Sequence, residues 1–116
     1  ERGLNISAKH MDSLLELPKK HMLRINGIVV NMTLGIYPWP SQIYYDTVDS
    51  KHVLFWETWA KRNNVKFINH FEDFFLLKDK TGPKQLIEEY YIPGDVHFNE
   101  KGNILMKEYF LSQYPQ

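Results

Sequence analysis

Asp95 and His97 stand two positions apart in Ile92-Pro93-Gly94-Asp95-Val96-His97-Phe98-Asn99, near the C-terminal end of the 116-residue chain. A carboxylate that accepts the Nδ1 proton of an imidazole fixes its tautomer and leaves Nε2 to take a proton from a hydroxyl. Such a pair is two members of a hydrolytic triad. The spacing alone is a weak signal and fits better a turn carboxylate beside Gly94 and a partly exposed loop histidine. The remaining member would be a nucleophile. The chain has no Cys, so thiol chemistry and disulfides are excluded. Its serines are Ser7, Ser13, Ser41, Ser50 and Ser112. Only Ser41, just after Pro38-Trp39-Pro40, falls near an expected functional edge, and there it reads as a loop residue.

The elements that must position the pair follow from hydrophobic spacing. Asn5 caps an expected helix through about Leu17, with Leu4, Ala8, Met11, Leu14 and Leu15 on one face and Pro18 breaking it. Ile28 to Tyr37 is rich in β-branched and apolar residues without alternation, the pattern of a strand covered on both faces. Pro38-Trp39-Pro40 ends that strand, since neither proline can donate to a ladder. Tyr44 to Asp49 reads as a loop. Asp49 or Ser50 caps a helix over Lys51 to Arg62 that buries Val53, Phe55, Trp56, Trp59 and Ala60.

Val65 to Ile68 is a short second strand, and Phe71 to Leu77 an apolar cluster, helical or irregular. Lys78 to Pro83 reads as a polar turn, with Pro83 opening a helix to about Tyr90. Asn99 caps a last helix that buries Ile104, Leu105, Tyr109 and Leu111.

Strands joined by helices of this length imply right-handed crossovers and an α/β fold, with helices on both faces of a parallel sheet. In such sheets functional residues gather at the C-terminal ends of the strands, where Pro38–Gln42, Asn69–Glu72 and Asp95–Asn99 would lie. Two strands are few for a sheet that normally has about five. A bare edge is expected unless another segment or a second copy of the chain pairs with it. Residues 1–116 therefore read as about half of a single domain.

Asp95-Val96-His97-Phe98-Asn99, followed by Gly102 and an amphipathic helix, resembles the C-terminal catalytic block of the SGNH (GDSL-like) hydrolases. Ile36-Tyr37-Pro38-Trp39-Pro40-Ser41-Gln42-Ile43 is similar to a strand end in some bacterial members. In those it is followed by a Trp-containing helix like Phe55-Trp56-Glu57-Thr58-Trp59 and a strand like Lys66-Phe67-Ile68-Asn69. The resemblance covers nearly the whole chain and the second half of that family's domain, which implies that residues 1–116 are its C-terminal part and pair with the missing N-terminal half or self-associate. It implies a three-layer α/β/α, flavodoxin-like fold and a serine ester hydrolase, removing acyl or acetyl groups from carbohydrates or small esters. His97 would be the base and Asp95 its orienting carboxylate.

The commonest family spacing has two residues between Asp and His, against one here; the shorter spacing occurs in related esterases and polysaccharide O-acetyltransferases. An O-acyltransferase and a non-catalytic assembly or binding module are therefore the alternatives. The family's Gly-Asp-Ser block and the Gly and Asn of its oxyanion hole have no counterpart in these residues, so the nucleophile is expected outside them.

Bulk properties narrow the remaining classes. Lys plus Arg and Asp plus Glu are both 14, so there is no basic excess to suggest nucleic acid as a partner. No apolar run approaches the roughly 20 residues a membrane helix needs. His10, His21, His52 and His70 lack metal-ligand spacing, and His70 with Glu72 and Asp73 reads as a solvated loop. Gly82 and Gly94 are isolated turn glycines, which leaves no phosphate-cradling loop and no cofactor motif. Trp39 is placed either at a pocket rim, against a sugar or acyl group, or packed at an edge.

Overall fold

A computed structural model describes residues 2–21, 24–25, 28–29 and 31–114. The chain is a small, mostly helical α/β domain. Helix α1 (Arg2–His21) is followed by a two-stranded antiparallel hairpin, β1 (Arg24–Ile25) and β2 (Ile28–Val29). Then come β3 (Thr33–Ile36), α2 (Pro40–Tyr45), α3 (Lys51–Arg62), β4 (Lys66–Asn69), α4 (Phe71–Thr81), α5 (Pro83–Tyr90) and α6 (Glu100–Ser112). β3 and β4 pair in parallel, with Thr33 opposite Lys66 and Ile36 opposite Asn69.

The crossover between the parallel strands carries α2 and α3. Pro40 occupies the first turn of α2, where a missing N–H costs nothing. The Gln42 side-chain oxygen returns to accept the Trp39 amide at 3.0 Å. Ser50 caps α3 by accepting the Val53 amide, and Lys61 and Arg62 sit at the negative end of its dipole. α3 lays Val53, Trp56, Trp59 and Ala60 into the core, where Ile43, Phe71, Phe74, Leu86 and Tyr91 meet them. The Trp59 indole donates to Asp12 at 2.8 Å, tying α1 to α3.

Several sequence expectations need correction. The run from Ile28 to Tyr37 is not one strand: Ile28 and Val29 belong to the hairpin, only Thr33–Ile36 pairs with β4, and Val30 lies outside the described residues. Asn5 lies inside α1 rather than capping it, and Pro18 does not end that helix. In the last turn Pro18 forfeits a single backbone bond while the following residues continue the spiral. Tyr44 and Tyr45 are helical in α2. The polar stretch before Pro83 is mostly helix, since α4 runs to Thr81 and ends at Gly82 with φ +82°. In α6 none of the four residues expected to be buried is fully so: Leu105 and Tyr109 are half-buried and Ile104 and Leu111 exposed, because the helix meets the rest of the domain along one narrow face.

Candidate functional site

Asp95 and His97 sit on a hairpin-like loop between α5 and α6. Pro93 and Gly94, the latter at φ +75°, occupy the centre of a turn closed by the Asp95 amide on the Ile92 carbonyl at 3.0 Å. Pro followed by a positive-φ Gly is the pattern of a type II turn. The Ile92 amide then donates to the His97 carbonyl at 3.0 Å, and Tyr91 and Phe98 form an antiparallel bridge.

The side chains meet on this frame. Asp95 Oδ1 lies 2.7 Å from His97 Nδ1 and also accepts the Val96 amide at 2.6 Å and the His97 amide at 3.3 Å. The histidine ring, followed by the Val96 amide, holds the Asp95 carboxyl below its ordinary range. Nδ1 is thereby engaged and Nε2 is the available nitrogen. The His97 side chain is 74% exposed and that of Asp95 45%. Among the described residues no hydroxyl is hydrogen-bonded to the ring.

Asn99 and Phe98 anchor the loop. Asn99 Oδ1 accepts the Gly102 amide at 3.0 Å, capping α6, while Nδ2 donates to the Glu89 carbonyl at 2.9 Å and the Tyr91 carbonyl at 3.4 Å. One amide side chain therefore fastens the start of α6 to the end of α5. The Phe98 ring stacks on Phe74 at 5.1 Å and packs against Tyr91 at 4.8 Å and Tyr37 at 5.2 Å. The Tyr91 hydroxyl donates to the buried Pro38 carbonyl at 2.7 Å. Through these contacts the loop is fixed beside the residues that follow β3, at the C-terminal end of the parallel pair, where the sequence placed it.

A cleft of about 360 Å³, lined by Tyr37, Val96, His97, Phe98, Asn103 and Met106, opens on the imidazole. Tyr37 is also a wall of a second cleft of about 420 Å³, formed with Gly35, Ile36, Trp39, Gln42 and His52. Trp39, 53% exposed, lies among the residues that line it.

None of the serines completes a triad. Ser50 is buried as the α3 cap, Ser13 and Ser112 donate to backbone carbonyls of their own helices, and Ser7 and Ser41 are exposed on α1 and α2. Ser41 is thus helical, not a loop residue. The expectation of a solvated loop at His70–Asp73 is also wrong: His70 and Asp73 are buried at the start of α4. His70 Nδ1 and both Asp73 carboxyl oxygens have no hydrogen-bond partner among the described residues. Burial lowers the His70 pKa, and it pushes Asp73 up to about 7. The apolar run Phe71–Phe75 around Asp73 was the available signal of its burial. His52 was also passed over; burial lowers its pKa, opposed by Asp46.

Among the described residues no group of three or more His, Asp or Glu side chains is arranged to hold a metal ion, and no helix is long and apolar enough to cross a membrane. Fold and site together define a small α/β domain that presents an Asp–His pair at the C-terminal end of two parallel strands. Comparison with protein-family models, curated proteins and solved structures gave no match to the chain.

Proposed function

We propose that the chain supplies the acid–base half of a Ser-His-Asp ester hydrolase of the SGNH type. Asp95 and His97 form the dyad, and the serine comes from residues outside these 116. The observation that carries the reading is the 2.7 Å contact between Asp95 Oδ1 and His97 Nδ1, which leaves Nε2 unengaged at the mouth of a cleft. In this mechanism the serine hydroxyl attacks the ester carbonyl while His97 Nε2 takes its proton. His97 then returns that proton to the leaving alcohol, and Asp95 stabilises the imidazolium between the two transfers.

The open setting of the dyad is consistent with an incomplete site. A carboxylate–imidazolium pair in water is screened, whereas the same pair under a covering segment is not. A covering segment that adds strands beside β3 and β4 would complete the three-layer α/β/α sheet and also dry the dyad. The substrate in this reading is a carbohydrate ester or another small ester. Transfer of the acyl group to a sugar hydroxyl instead of water uses the same residues.

Labelling by a fluorophosphonate tests the assignment in the protein expressed from its whole reading frame. Labelling is expected in the wild type and lost in His97→Ala. Persistence at full rate in that variant removes His97 from the mechanism and leaves the loop as an assembly element.

A further inference from the structure

The cleft that shares Tyr37 with the dyad has a chemistry of its own. Its rim residue Trp39 is held rigidly while its ring is not used by the fold. Pro38 and Pro40 restrict the backbone on either side, the Pro38 carbonyl is tied to Tyr91, and the Trp39 amide is tied to Gln42. Yet Trp39 is 53% exposed, its indole N–H has no partner among the described residues, and it stacks on no other ring there. The other two tryptophans, Trp56 and Trp59, are buried in the core. A large apolar ring fixed in solvent at the C-terminal end of a parallel strand is poorly explained by stability and well explained by ligand contact.

His52, which also lines the cleft, supplies the polar half. Burial, opposed by Asp46, lowers its pKa and so favours the neutral ring, which offers one donor and one acceptor. Neither ring nitrogen is hydrogen-bonded among the described residues; its contact is with the Phe71 ring at 6.4 Å. The lining carries no ammonium or guanidinium, and the carboxylate nearest to it, Asp46, sits behind Gln42, whose side-chain amide donates to it at 3.2 Å. Its volume, about 420 Å³, lies within the range of roughly 300–1,000 Å³ typical of ligand sites.

We propose that this cleft binds an uncharged sugar ring, with the apolar face of the pyranose on Trp39 and a ring hydroxyl on His52. A lining without a cation, with the Asp46 carboxylate behind Gln42, disfavours uronic acids and phosphosugars, whose negative charge would be desolvated without a partner. The combination of one flat apolar wall and one free donor–acceptor suits a ring with a C–H face and hydroxyl edges better than an alkyl chain. Tyr37 lines both clefts, so a sugar bound here lies next to the cleft that opens on His97, where its ester would be the substrate. That placement rests on the esterase reading; the binding does not.

The test is a titration of the 116-residue chain with cellotriose, chitotriose, trigalacturonate and sodium octanoate, followed by tryptophan emission and calorimetry. A neutral trisaccharide should quench or shift the emission. The response should vanish and the affinity fall roughly tenfold in Trp39→Ala, and several-fold in His52→Ala. Trp39→Phe, which keeps a flat ring, should retain part of the affinity. No response from either neutral sugar up to tens of millimolar overturns the proposal, as does equal binding by Trp39→Ala or a response to octanoate or trigalacturonate alone. Binding needs no turnover. Sugar binding without fluorophosphonate labelling would sink the esterase and keep the subsite, and labelling without sugar binding would do the reverse.

Discussion

Gly102 in the first turn of α6 lies directly against the carbonyl of Tyr90 at the end of α5. A Cβ at this position would collide with that oxygen and come within 2.9 Å of the Phe98 Cβ and Cδ1. The close approach lets Asn99 cap one helix while gripping the other, and so sets the angle at which the Asp95–His97 loop leaves the domain.

Two effects oppose each other in Gly102→Ala. Alanine is favoured over glycine inside a helix by about 1 kcal/mol, but here it drives a methyl group into backbone, which cannot rotate away. The clash should win, with a net loss of roughly 1–3 kcal/mol in urea or thermal unfolding. Gly3→Ala is the control. Its Cβ meets nothing within 4 Å, and a change between neutral and about 1 kcal/mol stabilising is expected. Equal effects at the two sites would show that the α5–α6 contact is not close.

Asn99 performs two tasks that substitutions separate. Asn99→Asp keeps an oxygen for the Gly102 amide but loses the donor to Glu89 and Tyr91, and turns a carboxylate toward their carbonyls. Asn99→Ala loses cap and clasp together, where the cap alone is worth about 1 kcal/mol. Both variants should be less stable than the wild type. An Asp variant at wild-type stability would mean that only the cap matters.

Asp73 makes stability pH-dependent in an unusual direction. Burial raises its folded-state pKa from 3.8 to about 7, so the folded state resists ionisation that the unfolded chain accepts. Its neutral form is present in both states below about pH 4. As the pH rises toward 7 the unfolded state gains, and stability falls by up to roughly 4 kcal/mol. Asp73→Asn should remove that loss and melt above the wild type at pH 8, with no gain at pH 4. His70, whose pKa burial lowers, destabilises both proteins in acid and cancels in the difference. A variant-minus-wild-type curve that is flat between pH 4 and 8 would refute the buried-acid assignment.

The Asp95 carboxyl should titrate below the ordinary carboxylate range in carbon-detected NMR, because the His97 ring and the Val96 amide both favour its charged form. In His97→Ala it should move upward but stop short of the ordinary value, since the Val96 amide still donates at 2.6 Å. An unchanged titration would mean that the imidazole and carboxylate do not meet in solution.

The local elements that carry the site were legible from spacing alone. Ser50, Asn99 and Pro83 mark helix starts through side-chain and ring chemistry that acts within one turn, and each is where it was expected. Pro93-Gly94 likewise announces its own turn. The meeting of Asp95 with His97 follows from that turn, because the two side chains lie on one short loop.

Long-range packing was beyond the reach of local spacing. The apolar run before Tyr37 is divided because only Thr33–Ile36 finds a partner in β4, and pairing is a property of two segments. Asp73 and His70 look solvated beside Glu72 in sequence, yet burial by distant rings gives them their shifted pKa values. Trp39 stays exposed in a chain whose other tryptophans are core, and no rule of spacing distinguishes the three. Periodicity and capping report what a residue does to its neighbours within a turn or two. Which face is covered, and which ring is left to solvent beside Tyr37, is decided when separate elements compete to bury the same apolar surface.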